Sequence, residues 1–260
     1  MSNPAPQFIT VGAGAAERRI ATLIEPRGAP GLLWLPGFKS EMVSLKATDL
    51  AAFAREQNLS MARFDYSGHG QSGGDFDRCT VGGWLEEARA VFTRLATGPT
   101  IVIGSSMGGH IALLLLRALL REASAEAARI KALVLIAPAW DMTRLMRKKL
   151  PESARREIEE NGVYLRPSHY GDGPYRITKT LLDEGEAHLI GGSPFDPGRP
   201  VRVLHGLQDP DVPWEHSLDL VAHLDGNWAQ VTAVPDGEHR LSRPEDLALL
   251  RRIIAEEVSR

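Results

Sequence analysis

Cysteine is almost missing from this chain: Cys79 stands alone among 260 residues. That excludes an intrachain disulfide and a cysteine-based zinc cluster. A single thiol fits a reducing compartment, and a cytoplasmic setting is the expectation. Long apolar runs are lacking as well. The longest, "IALLLL" from Ile111, stops at Arg117, far short of the ~20 residues that cross a bilayer. The opening "MSNPAPQF" has neither the basic start nor the apolar stretch of a secretory signal. No transmembrane segment is expected. Nor is there a broad basic field: 30 Lys and Arg against 33 Asp and Glu leave a net charge of −3, with the basic residues scattered. A nucleic-acid partner is therefore not expected.

Nucleotide and metal signatures are absent too. The chain contains no G-x-x-x-x-G-K and no H-E-x-x-H. "VGAGAAE", from Val11, begins like a dinucleotide fingerprint, but Glu17 occupies the third glycine position and no strand–turn–helix unit surrounds it. It reads as a loop.

What remains is an ordinary globular composition, 43% hydrophobic and 24% charged. Apolar, β-rich runs recur at 19–25, 31–36, 59–66, 100–106, 130–138, 201–206 and 229–235. Most are continuously hydrophobic, which suits strands covered on both faces of a mostly parallel sheet. Helical spacing fills 44–57, 81–96, 107–122, 213–224 and 244–257, with Pro213 and Pro244 where a first turn tolerates proline. The alternation predicts one α/β domain over 1–260, helices on both faces of the sheet. About sixty residues separate Pro138 from Val201, too many for a crossover loop. This interval predicts a small, mainly helical cap at about 141–195. In it, Met142, Leu145, Met146 and Leu150 form a stripe that suits burial against the domain and could line a pocket. Arg144, Arg147, Lys148 and Lys149 suit a solvated face and could meet an anionic substrate. Pro151 opens a charged helix through Glu160, and "RPSHYGDGP" reads as a loop.

Chemistry concentrates in "TIVIGSSMGGHIALLLL" (100–116), where a strand meets a helix through Gly104-Ser105-Ser106-Met107-Gly108. A G-x-S-x-G turn in that context is a nucleophile elbow, with Ser106 lifted above the sheet. A serine hydroxyl is a weak nucleophile until a base within hydrogen-bond reach takes its proton, and that base needs a third group to orient it. In elbow-type hydrolases the partners follow in the order acid, then histidine, on loops after late strands. Asp209 in "VRVLHGLQDPDVPW" and His239 in "VPDGEHRLSRPEDL" have that order and context. Asp211 competes with Asp209. His205, inside a strand, and His110, a turn beyond Ser106, suit packing or hydrogen bonding; His69, in the Gly-rich "SGHGQSGG", could line the mouth. The oxyanion of an acyl intermediate needs backbone donors. The N–H of Met107, after the nucleophile, and that of Phe38 in "LLWLPGFKSEM" take those positions.

The motifs "PGFKSEM", "RFDYSGHGQSGG", "GSSMGG" and "LHGLQDPDVPW" resemble the α/β-hydrolase superfamily, and within it the abhydrolase-domain-ten branch, described as palmitoyl-protein thioesterases and acyl-glucuronide esterases. The similarity runs from about Gly31 to the C-terminus and includes "GVYLRPSHY". It implies the same nucleophile, acid and base: Ser106, Asp209 and His239. Two departures stand out: Pro36 replaces a histidine common before the glycine, and no mitochondrial presequence is evident. The expected reaction is hydrolysis of a carboxylic ester or thioester through an acyl-enzyme, on a small molecule or an acylated protein. No cofactor and no metal are implied. A serine peptidase or aminopeptidase on the same fold, or a non-catalytic ligand-binding relative, are the alternatives.

Overall fold

The computed structural model describes residues 5–167 and 173–260. The first strands, β1 (Gln7–Val11) and β2 (Arg18–Glu25), are antiparallel and joined by a turn that contains "VGAGAAE". Then β3 (Gly28–Leu35), helix α1 (Leu45–Glu56), β4 (Leu59–Phe64), α2 (Val81–Arg94), β5 (Thr100–Ser105), α3 (Met107–Arg121) and β6 (Ile130–Ile136) alternate as the runs predict. After a long interval come β9 (Val201–Gly206), α7 (Glu215–His223), β10 (Ala229–Val234) and α8 (Pro244–Val258).

Eight strands pair in the order β1-β2-β4-β3-β5-β6-β9-β10, parallel from β4 onward and antiparallel at β1–β2 and β2–β4. The continuous hydrophobicity of the central strands resolves into a period of two once both faces are seen. Leu33, Leu35, Val102, Leu133 and Leu135 join the cluster built by α2 and α3. Their neighbours Leu32, Trp34, Ile101, Ile103 and Val134 join the opposite cluster, with α1 and α8. From β3 the chain steps to β4, then returns past β3 to β5, and continues β6, β9, β10. The direction of winding thus reverses between β3 and β5. In open α/β sheets a crevice forms outside the carboxyl ends of the strands at that reversal.

Between β6 and β9 lie α4 (Met142–Lys149), α5 (Glu152–Asn161), β7 (Val163–Arg166), β8 (Tyr175–Thr178) and α6 (Lys179–Gly185). The antiparallel pair β7–β8 is an addition to the helices that the spacing predicts. Of the predicted "RPSHYGDGP" loop, Arg166 ends β7, while 168–172 lie outside the described residues. Among the described residues no helix is long and apolar enough to cross a membrane.

Candidate active site

The turn after β5 explains its own sequence. Ser106 is held at φ 53 and ψ −114, its N–H bonded to Ile136 O at 2.8 Å. A non-glycine residue at positive φ costs on the order of 1–3 kcal/mol and persists only where its surroundings enforce it. They do so by crowding: a Cβ at Gly104 would lie 2.3 Å from Gly108 O, and one at Gly108 would lie 2.0 Å from Leu35 O. Only glycine lets β5, α3 and the end of β3 meet this closely.

The half-buried hydroxyl of Ser106 lies 3.1 Å from His239 Nε2. His239 Nδ1 lies 2.7 Å from Asp209 Oδ2. Because a carboxylate accepts, Nδ1 carries the proton and Nε2 is free to accept from the hydroxyl. Asp209 Oδ1 takes the N–H groups of Asp211 and Val212, each at 2.8 Å. Burial alone would raise the carboxyl of Asp209. Hydrogen bonds from His205 and His239, the charge of His239 and the Val212 N–H outweigh it and hold this group well below the usual carboxylate range. The two loops are joined directly, since Gln208 N–H donates to Gly237 O at 2.9 Å.

All three positions follow carboxyl ends of parallel strands: Ser106 after β5, Asp209 after β9 and His239 after β10. The sequence-predicted oxyanion residues lie beside them. Met107 opens α3, where a first-turn N–H has no intrahelical acceptor. Phe38 follows Gly37, whose Cβ position is 3.2 Å from Ser105 O and 3.5 Å from Ser106 Cβ, so the loop after β3 runs against the elbow. Asp65 fastens that loop further along, its Oδ1 accepting from Met42 N–H at 2.6 Å.

The other candidates separate by contact. Asp211 borders the same cavity but gives its backbone N–H to Asp209. His205 is buried behind Asp209. His110 is fully buried, 3.2 Å from His188 O. His69 does not line the mouth: its ring packs edge-on against Phe38, Phe76 and Trp84, and its Nδ1 lies 3.0 Å from Ser67 O. Aromatic residues distant in sequence close over that glycine-rich loop, which composition does not reveal. Among the described residues, Asp209, Asp211 and His239 form the His, Cys, Asp and Glu group compact enough for a cation, with atoms within 4.8 Å. Asp209 and His239 spend those atoms on each other.

A cavity of about 670 Å³ opens over the elbow, bordered by Phe38, Ser106 and His239 and, from α4, by Met142, Leu145 and Met146. The α4 stripe therefore divides: Leu150 packs instead with Ala154, Ile158 and Leu182. The basic residues divide as well. Lys149 borders the cavity, while Arg144, Arg147 and Lys148 border a separate groove with Leu150 and Ile158. Lys46, which the motifs did not single out, borders the cavity and bonds Arg240 O beside His239. Nothing local in α1 marks it, because its partner is 194 residues away.

Sheet order, reversal point and elbow together define an α/β hydrolase. The serine aminopeptidase, S33, family model matches residues 32–172, and the chain belongs to that hydrolase family. The palmitoyl-protein thioesterase ABHD10, mitochondrial, of Bos taurus is 34% identical over 223 residues, 85% of this chain and 71% of that protein. The protein of the same name from Mus musculus is 35% identical over 222 residues, 85% and 72% of the two chains. Among solved structures, a protein described as a hydrolase from Agrobacterium vitis S4 superposes with a TM-score of 0.93 at 40% identity, covering 98% of each chain. The mouse α/β hydrolase domain-containing protein 10 superposes with a TM-score of 0.86 at 31% identity, covering 98% of this chain and 99% of that one. This chain is a hydrolase.

Proposed function

We propose that the chain hydrolyses carboxylic esters or thioesters of acyl groups through a Ser106–His239–Asp209 triad. The observation that carries this reading is the unbroken row of contacts, 3.1 Å from hydroxyl to imidazole and 2.7 Å from imidazole to carboxylate. Ser106 Oγ attacks the acyl carbonyl as His239 Nε2 takes its proton. Asp209 stabilises the imidazolium, and the N–H groups of Phe38 and Met107 hold the oxyanion. Collapse expels the leaving alkoxide or thiolate with the proton from His239. Water, deprotonated by the same ring, then releases the acid and restores Ser106.

Met142, Leu145 and Met146 supply an apolar wall for the acyl chain, their thioethers adapting to its shape. The relatives named as palmitoyl-protein thioesterases favour a thioester of a long acyl group. The mitochondrial location in their names stays with them. A second reading, an aminopeptidase, is favoured by the family description.

A fluorophosphonate probe followed by peptide mapping tests the reading. Labelling is expected at Ser106, and acyl thioesters and esters should compete for it better as the chain lengthens. Amides of the same acyl groups should turn over far more slowly. Labelling elsewhere, or faster amide turnover, would overturn it.

A further inference from the structure

Behind the Ser106–His239–Asp209 row stands a second imidazole. His205 is buried near the end of β9, four residues before Asp209. Its Nε2 lies 3.2 Å from Asp209 Oδ2 and 3.0 Å from Val212 O. Both are acceptors, so Nε2 carries a proton. Its Nδ1 lies 2.6 Å from the hydroxyl of Ser217, a fully buried residue in the first turn of α7. In a neutral ring that accepts from Ser217 at Nδ1, the one N–H at Nε2 is shared between Val212 O, the nearer acceptor, and Asp209 Oδ2.

Two imidazole N–H groups thus converge on one oxygen, His239 from the front and His205 from behind. With the N–H groups of Asp211 and Val212 on Oδ1, three donors fix Asp209, and the shared N–H of His205 stands 3.2 Å from Oδ2 as a fourth contact. We propose that His205 is a positioning residue: through Val212 O it holds the turn that carries Asp209, and its shared N–H stands against the same carboxylate oxygen that accepts from His239. This deepens the triad reading and rests on it. An oxygen that already accepts one strong donor stabilises a second, charged donor less.

The other charges near this pair and His239 come from two loops and three helices. Glu238 and Arg240 flank His239, and Lys46 from α1 borders the same cavity and bonds Arg240 O. Asp211 lies in the same loop as Asp209. Lys149 reaches across from α4 to donate to the carbonyls of Pro210, at 3.2 Å, and Asp211, at 2.5 Å. From α7, His216 lies close enough to feel the charges of His205 and Asp219.

The test is the pH profile of kcat/KM for wild type, His205→Leu, His205→Gln and Ser217→Ala. Leucine removes the donor, whereas the glutamine amide places an N–H close to the position of Nε2. His205→Leu is expected to move the acid limb upward by roughly half to one pH unit, and His205→Gln to bring it back. Should the leucine variant fail to fold, Ser217→Ala, which keeps the ring but releases Nδ1, is expected to move the limb in the same direction. An acid limb in His205→Leu that superimposes on wild type overturns the proposal. So does a glutamine variant that shifts as far as leucine, or, without a folded leucine variant, an unmoved Ser217→Ala. Fluorophosphonate labelling of the wild type is read in parallel. Its absence at Ser106 would strike the triad reading, whereas labelling with unmoved pH limbs would strike only the role of His205.

Discussion

At Ser106 the strained backbone and the two flanking glycines are one device, legible because G-x-S-x-G falls between an apolar strand run and a helical one. Histidines are harder, because their role depends on what surrounds them. His239 is legible from its place after the last strand, yet the contact of His205 with Asp209 depends on how the chain turns back after β9. His110 and His69 show a further fate. Burial pushes both down to about 4, with the Asp141 carboxylate partly opposing this at His110 and the Ser67 carbonyl opposing it at His69. Unfolded, each titrates near ~6.5. Between those values the unfolded chain binds more protons than the folded one, so stability falls as pH falls. Denaturant titrations from pH 7 to pH 4 are expected to show a loss that begins near pH 6.5, is steepest midway between the two values and slackens toward 4. His110→Gln, which keeps a donor for His188 O, is expected to remove about half of the two-proton uptake on unfolding. An unchanged pH dependence in that variant would contradict the assignment of His110 as buried and neutral.

Elements buried on both sides were the legible ones. The runs at 100–106, 130–138 and 201–206 correspond to β5, β6 and β9 within two residues. Strand β1, five residues mostly exposed at the sheet edge, carries no such run. Strands β7 and β8, four residues each, bury little beyond Ile177 and Thr178 and leave no periodicity to read. Met142, Leu181 and Ile190 carry the interval that contains them into the core, and polar groups fasten its ends. Asp141 accepts from the N–H groups of Ile190 at 2.5 Å and Gly191 at 3.0 Å, and Arg117 on α3 donates to Leu189 O at 3.0 Å. Asp141 thereby ties the two ends of the interval to each other, and Arg117 ties the second of them to α3. Asp141→Ala strands two N–H groups, at a cost of about 1–3 kcal/mol each. Hydrogen exchange is expected to quicken at least tenfold over 188–193, with β5 and β6 unchanged. Uniform protection across 188–193 would show that the tie lies elsewhere.

Across the whole molecule, strand order creates the site. Reversal of winding between β3 and β5 opens the crevice, and the loops after β5, β9 and β10 reach into it. Contacts that span 133 residues from Ser106 to His239, and 30 from Asp209 to His239, follow from that order. Chain order and loop position made these three side chains readable in advance. The cavity was less so, because α4 divides its apolar stripe between the cleft and the cluster around Leu150, a division set by the angle of the helix. Turnover of a long-chain acyl thioester by Ser106→Ala, with an unchanged circular dichroism spectrum, tests the central claim most directly. A loss of roughly 10⁶ in turnover is predicted, the size found when a comparable triad loses its nucleophile. A folded Ser106→Ala protein that turns the thioester over at the wild-type rate would contradict it.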